Sequence, residues 1–200
     1  MPLPPVSPSP AGHLILTRSG RATMTRPATA ADLAAVNAMH GRCSPDTIYS
    51  RYQTGRSVLR EREWAQLTCP GHGLSWVTAP VGAPGTVVAV THLLRGDTSR
   101  CGELALLVED DWQDAGLGTA LTHWALSRAA GLGMRGVAVF TAPSNRRMAA
   151  ICRALGARPA APGGPESVER HGDDLVHLEL PVPGRVIRAG EWQACACVPA

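Results

Sequence analysis

The spacing of apolar residues changes along the chain and predicts an alternation of helices and strands. Residues 29–67 carry apolar side chains at intervals of three and four, which predicts three short helices. Residues 73–108 are rich in β-branched side chains and are divided by Pro and Gly, which predicts three strands in an antiparallel meander. Downstream, the same criteria predict helices over 116–130 and 145–155 and strands over 135–141 and 174–181.

Residues that commonly cap helices stand at three of the predicted helix starts. Thr29 precedes Asp32 by three positions, and Ser44 stands directly before Pro45, which suits the first position of a helix. Ser144 is the expected cap of the helix that Asn145 begins. The chain therefore marks its helices locally as well as by apolar spacing.

The two ends of the chain lack this periodicity. Residues 1–21 contain five Pro together with Ser and Gly, which predicts a flexible tail. Periodicity is lost again after Pro183, so residues 183–200 are predicted to be a second tail. One domain over 22–182 remains, beginning with a short strand near residues 22–26.

Composition narrows the classes of function. With 44% hydrophobic residues, the 200-residue chain can bury a core, so wholesale disorder is excluded. All 19 basic residues are Arg, they are scattered among 16 acids, and the net charge is only +3. Without a basic block, nucleic acid is not an expected partner.

No targeting segment or metal motif is evident in the sequence. The apolar runs are far shorter than a membrane span, and the Pro-rich start has no signal-peptide pattern, so we expect a cytoplasmic protein with no membrane partner. The six Cys form no C-x-x-C pair and have no zinc-site spacing, so we expect reduced thiols and no bound metal.

The segment most informative about chemistry lies between a predicted strand and a predicted helix. A strand ends at Val108, and Gln113-x-x-Gly116-x-Gly118 follows before the helix begins. Backbone N–H groups at such a helix start bind anions, and glycine allows close approach to a pyrophosphate. A Walker loop is excluded because no Lys follows Gly118, and a dinucleotide fingerprint is excluded because Leu121 stands where a small residue is needed.

This segment resembles the acetyl-CoA loop, Q/R-x-x-G-x-G/A, of the GNAT superfamily of N-acetyltransferases. A second block, Asn145-Arg-Arg-Met148 followed by Leu155-Gly156, is similar to the N-x-x-M…L-G of that family's next helix. The resemblance implies an α/β (α+β) acyltransferase fold, with a mixed, mostly antiparallel central sheet flanked by helices. It also implies acetyl-CoA as co-substrate and an amine as acceptor.

Site residues follow from the same resemblance. The N–H groups of Leu106 and Val108 would lie along the pantetheine and acetyl group, and further contacts to acetyl-CoA are expected from Gln113, Asp114, Ala115, Gly116, Leu117, Gly118, Thr119, Asn145 and Arg147. Two departures from the family pattern stand out. Cys152 occupies the position of a Tyr that often protonates the leaving thiolate, and four acids with no base lie between residues 109 and 114. Arg146 and Arg147 are the candidates for supplying the missing charge.

Glu103 is the candidate general base. A protonated amine cannot attack a thioester until a proton leaves, and a carboxylate near the acyl carbon can accept that proton. Glu103 lies five residues before Val108, roughly 16 Å along a strand, on the side where an extended pantetheine could run. The stretch Gly102-Glu103-Leu-Ala is similar to the A-E-x-A strand of bacterial protein-lysine acetyltransferases, in which Glu is the base.

The acceptor is the least determined part of the hypothesis. Ser44-Pro-Asp-Thr-Ile-Tyr49-Ser-Arg51-Tyr52 resembles a stretch of the same protein-lysine subgroup, which favours a protein lysine. Tyr49, Arg51 and His92 are candidate substrate contacts. A small-molecule amine is an alternative acceptor, and a catalytically silent acyl-CoA-binding or regulatory module is a further alternative. No oligomeric state is predicted.

Overall fold

The computed structural model describes residues 12–53, 55, 58–96, 101–159 and 175–183. Its strands are β1 His13–Leu16, β2 Ala22–Pro27, β3 Gly73–Pro80, β4 Ala89–Arg95, β5 Cys101–Val108, β6 Gly136–Thr141, β7 Arg158–Pro159 and β8 Val176–Pro181. Its helices are α1 Leu33–His40, α2 Pro45–Tyr52, α3 Glu61–Thr68, α4 Leu117–Gly131 and α5 Arg146–Ala154. Short 3-10 turns at Ala30–Asp32 and Asp110–Trp112 precede α1 and α4.

The strands form one mixed sheet in the order β1-β2-β3-β4-β5-β6-β8-β7. β2 pairs antiparallel with β1 and with β3, and β8 pairs antiparallel with β6 and with β7. β5 and β6 are parallel, joined by the crossover helix α4. The predicted α/β architecture with a mixed, mostly antiparallel sheet and flanking helices is therefore confirmed.

The chain divides into two compact units. The first takes its described residues from Met1–His92 and Leu106–Leu121. One of its apolar clusters is formed by Val36, Met39, Ile48, Leu59, Trp64, Val77, Val87, Val90 and Leu107. A second cluster in this unit is formed by Ile15, Val88, Ala89, Val108, Trp112, Leu117 and Leu121. The loop after β5 thus starts and ends in one packed cluster, which holds its two ends in place.

The second unit takes its described residues from Leu93–Ala105 and Thr122–Ala200. Leu178 and Leu180 of β8 are buried, as are Val137 and Val139 opposite them on β6. The pairing of β5 with β6 covers three residue pairs and ends at Glu103 and Ala138. Because both strands continue beyond that pair, Glu103 stands where their backbones part.

Three sequence predictions are wrong in part. The predicted tail over 1–21 contains β1, in which Ile15 is buried and Leu14 pairs with Met24. The signal for this hairpin was the Ser19-Gly20 turn, where Gly20 has a φ of 79°. Residues 1–11 and 184–200 of the predicted tails lie outside the described residues.

The helix cap and the thiols are the other two corrections. Asn145, and not Ser144, caps α5, because its side chain accepts a hydrogen bond from the N–H of Met148 at 3.0 Å. Cys101 is disulfide-bonded, whereas Cys43, Cys69 and Cys152 are free thiols, so the expectation of reduced cysteines fails at Cys101. Of the helices in the described ranges, none is both long enough and apolar enough to cross a membrane.

Candidate functional site

The loop between β5 and α4 turns through two left-handed residues. Asp114 has a φ of 55° and Gly116 a φ of 84°. Within the described loop, the N–H groups of Ala115, Gly116 and Leu117 donate no backbone hydrogen bond. They therefore remain available at the first turn of α4, where the helix dipole also favours an anion. This arrangement suits a pyrophosphate.

Gln113 stabilises this loop through its side chain. Its amide nitrogen donates to the carbonyl oxygen of Val108 at 2.8 Å and to the carboxylate of Asp110 at 2.9 Å. It also lies 3.1 Å from the hydroxyl of Thr47 on α2. The first residue of the Q-x-x-G-x-G motif thus ties the end of β5 to the 3-10 turn and to α2.

Two acids of the loop, Glu109 and Asp110, are bonded to other residues of the first unit. Glu109 is 7% exposed and accepts a 2.7 Å bond from the guanidinium of Arg42, which also donates to the carbonyl of Val87. Asp110 accepts from the backbone N–H of Ser44 at 2.6 Å and from the hydroxyl of Thr47. These two carboxylates therefore brace the loop, whereas Asp111 and Asp114 are exposed.

Two further arginines come from the β1–β2 hairpin. The N–H of Arg18 donates to the carbonyl of Ala115 at 2.8 Å, and the Arg18 side chain passes 3.1 Å from the position of a Cβ on Gly116. Arg21 places its guanidinium carbon 3.3 Å from the centroid of the Trp112 ring. Sequence reasoning sought the compensating charge at Arg146 and Arg147 and missed Arg18, Arg21 and Arg42, because no local pattern links distant segments.

The remaining predicted loop residues differ in exposure. Leu117 is fully buried and Val108 is 8% exposed, so both are core side chains that could offer only backbone groups to a ligand. Leu106, Ala115, Gly118 and Thr119 are half-buried and Asp114 is exposed. The motif thus combines anchoring side chains with accessible backbone.

The second predicted block lies in the second unit. Asn145 uses its side chain as the cap of α5, and Arg147 is exposed on that helix. Cys152 is fully buried, and desolvation raises the pKa of its thiol to about 11. The Cys152 thiol therefore keeps its proton at neutral pH and is a poor donor to a thiolate with an ordinary pKa of about 8.5.

Glu103 is a half-buried residue of β5. It stands opposite Ala138 in the last pair that joins β5 to β6. Glu179 of β8 stands opposite the same alanine from the other side, so the three residues form one row across three strands. Glu179 was absent from the predicted site because nothing near it in the sequence marks it.

His92 is fully buried on β4, so the predicted substrate contact has no exposed surface in this structure. The single proton of the Ser75 hydroxyl is donated to the carbonyl of Leu67, so the ring Nδ1 of His92, 2.7 Å from that hydroxyl, must be the donor in their bond. Burial, followed by the charges of Arg51 and His40, lowers the pKa of His92 well below its ordinary value. The imidazole is therefore neutral.

The two predicted substrate contacts on α2, Tyr49 and Arg51, differ in their exposure. Tyr49 is 50% exposed. Arg51 is half-buried, with its guanidinium 4.8 Å from the ring centroid of Tyr52. Arg51 is close enough to His92 to affect its pKa, so the structure brings these two predicted residues into one neighbourhood. Tyr52 completes that neighbourhood by hydrogen bonding to His40 at 3.0 Å.

Solved structures with the same fold include several acyltransferases. The GNAT domain of S. lividans PAT superposes with a TM-score of 0.73 at 21% identity, covering 85% of this chain and 96% of that one. Spermidine N-acetyltransferase from Vibrio cholerae, solved with CoA and spermine, gives a TM-score of 0.62 at 12% identity, with 80% and 95% covered. A cAMP-binding acyltransferase from Mycobacterium smegmatis gives 0.58 at 22% identity, covering 86% of this chain but 48% of that one.

Sequence comparison identifies the family directly. No curated protein matches the chain. The model of the acetyltransferase (GNAT) family matches residues 42–157, which is more than half of the chain. That range includes the loop after β5, Glu103 and all of α5. The chain therefore belongs to the GNAT family of acetyltransferases, enzymes that use acetyl-CoA to acetylate amines.

Proposed function

We propose that this enzyme transfers an acetyl group from acetyl-CoA to the side-chain amine of a protein lysine. The observation that carries the proposal is the loop after β5, with its left-handed backbone at Gly116 and its available N–H groups at the start of α4. These groups would hold the pyrophosphate, and the guanidinium groups of Arg18 and Arg21 would add positive charge. Asn145 and Arg147 are proposed as further contacts to acetyl-CoA.

Glu103 is proposed as the general base. The amine reaches the enzyme as an ammonium ion, and the carboxylate of Glu103 takes one proton from it, directly or through water. The neutral amine then attacks the thioester carbon with no acyl-enzyme intermediate. Support comes from the place of Glu103 on β5, at the last residue pair before β5 and β6 part.

A lysine acceptor is supported by the Ser44–Tyr52 stretch of α2 and by the similarity to the GNAT domain of S. lividans PAT. A small-molecule amine is the second candidate, and the similarity to a spermidine N-acetyltransferase favours it. The silent-module alternative loses one support, because Glu109 is ion-paired with Arg42 and is not a free charge facing a ligand.

The test is release of CoA from acetyl-CoA, measured with lysine-containing peptides and with spermidine. Glu103→Gln should lower kcat by about 10²–10⁴-fold, because the variant cannot accept the proton, and should leave acetyl-CoA binding unchanged. Glu61→Gln, an exposed carboxylate on α3, is the matched control and should keep full activity. Unchanged turnover in Glu103→Gln would remove Glu103 as the base.

Two outcomes would contradict parts of this proposal. Faster release with spermidine than with every peptide would replace the lysine acceptor by a small amine. Absence of acetyl-CoA binding by calorimetry would contradict the assignment of the loop.

A further inference from the structure

Two carboxyl groups stand on the same side of the sheet in the second unit. Glu103 pairs with Ala138 across the parallel β5–β6 contact, and Ala138 pairs with Glu179 across the antiparallel β6–β8 contact. Residues directly opposite one another in a sheet project to the same face. At about 4.8 Å per strand, the Cα atoms of the two glutamates lie about 10 Å apart, with the small residue Ala138 between them in the row.

Glu179 is buried, and no described residue forms a hydrogen bond or ion pair with its carboxyl group. Its residue is 7% exposed, and desolvation is the sole cause of a pKa raised to about 7. An unpaired carboxylate at such a position is costly, so the group retains its proton well into the neutral range. Glu103 is more accessible, being half-buried. The row therefore offers two carboxyl groups in different environments, an arrangement that suits one base and one acid.

Two titratable side chains, those of Arg158 and His177, lie near Glu179 on β7 and β8. Arg158 of β7 stands opposite it but is exposed and forms no ion pair with it among the described residues. His177 lies two residues away on the same face of β8, stacked on Phe140 at 4.5 Å. Gly156, which follows α5, approaches the Pro181 ring of β8.

Acetyl transfer needs a proton donor, and the sequence analysis identified no suitable one. The CoA thiolate that leaves must be protonated, and Cys152 stands where the family often has a tyrosine. With a thiol pKa of about 11, Cys152 would give up its proton uphill to a thiolate. A carboxylic acid with a pKa of about 7 would give it up downhill, since an ordinary thiol has a pKa of about 8.5.

We propose that Glu179 is a second catalytic residue, the general acid that protonates the departing CoA thiolate while Glu103 acts as the base. This inference rests on the proposed function. Glu103 takes one proton from the ammonium, the amine forms the C–N bond as the C–S bond breaks, and Glu179 gives its proton to sulfur. The amide nitrogen loses its second proton to water, and the proton on Glu103 then passes to Glu179 and restores both groups.

The test compares the pH dependence of kcat in the wild type and in Glu179→Gln. Wild-type kcat should fall at alkaline pH as Glu179 loses its proton. The variant should lose about 10²-fold in kcat at pH 7 and should lack that alkaline fall, with acetyl-CoA affinity unchanged by calorimetry. Glu61→Gln, on the exposed face of α3, should keep the wild-type profile. A Glu179→Gln enzyme with wild-type kcat and profile would overturn the proposal.

If the Glu179→Gln variant fails to fold, a measurement on the unmodified enzyme still tests the proposal. Carbon-13 NMR of glutamate carboxyl groups should find one that titrates near pH 7, and Glu179→Asp should remove that signal. Titration of Glu179 near pH 4.3 would overturn the proposal. If the wild type releases no CoA with any amine, the proposed function falls as well. If Glu103→Gln is inactive and Glu179→Gln is not, only the role of Glu179 falls.

Discussion

Acidic side chains have opposite surroundings in the loop after β5 and in the row formed by Glu103, Ala138 and Glu179. In the loop, Glu109 is bonded to Arg42 and Asp110 accepts from Ser44, so each carboxylate has partners that hold it in place. In the row, Glu179 is buried, and desolvation raises the pKa of its carboxyl group to about 7. Partners make the first set structural, and the lack of partners leaves Glu179 able to exchange protons near neutral pH.

The largest effect on stability is expected at Glu179. Because the native state holds the Glu179 proton up to about pH 7 and the unfolded chain releases it near 4.5, native stability falls as pH rises through that window. Glu179→Gln removes this dependence and should stabilise the protein by about 3 kcal/mol at pH 8, with little change below pH 4.5. Urea unfolding at pH 4.5 and pH 8 measures both values. Equal stability of the two proteins at pH 8 would show that the carboxyl group is solvated.

A smaller effect is expected at Gly116, where the loop is left-handed. Gly116→Ala should cost about 1–2 kcal/mol, since an alanine at a φ of 84° is strained and its Cβ would meet Arg18 at 3.1 Å. Acetyl-CoA affinity should fall by about tenfold or more, which calorimetry would detect. Gly131→Ala at the end of α4, where a Cβ meets nothing within 4 Å, is the control and should bind normally. Normal binding by Gly116→Ala would separate the loop from acetyl-CoA.

The smallest effect is expected at Arg42, which is 39% exposed in its bond to Glu109. Arg42→Ala should cost about 1 kcal/mol, because a charged hydrogen bond is lost but water can partly replace the guanidinium. The loss should be measured by urea unfolding beside Arg62→Ala, an exposed residue of α3 that should be neutral. Acetyl-CoA should also bind more weakly as Glu109 becomes unpaired. A stability loss as small as that of Arg62→Ala would show that the pair does not brace the loop.

Most of the helices and strands could be predicted from residues that lie close together in the sequence. Apolar periods and the Ser44-Pro45 start predicted α2 and α4 within a few residues, and the Gln113-x-x-Gly116-x-Gly118 spacing predicted a strand, a tight turn and a helix in the right order. The left-handed φ of Gly116 agrees with that motif, because glycine adopts this backbone without strain. Element order, fold class and family were therefore determined by residues that lie close together in the chain.

Tertiary structure alone decided which charges meet. Arg42 and Glu109 are separated by 67 residues, and Glu103 and Glu179 become neighbours on one face only through the register of β5, β6 and β8. A pKa depends on burial and on partners brought from distant segments, so no local pattern could distinguish the bonded carboxylate of Glu109 from the unpaired one of Glu179. The sequence by itself determined the fold class and the family, and it predicted the acetyl-CoA loop and the candidate base. The fold determined which carboxyl group keeps its proton, because strand pairing and desolvation are properties of the packed chain.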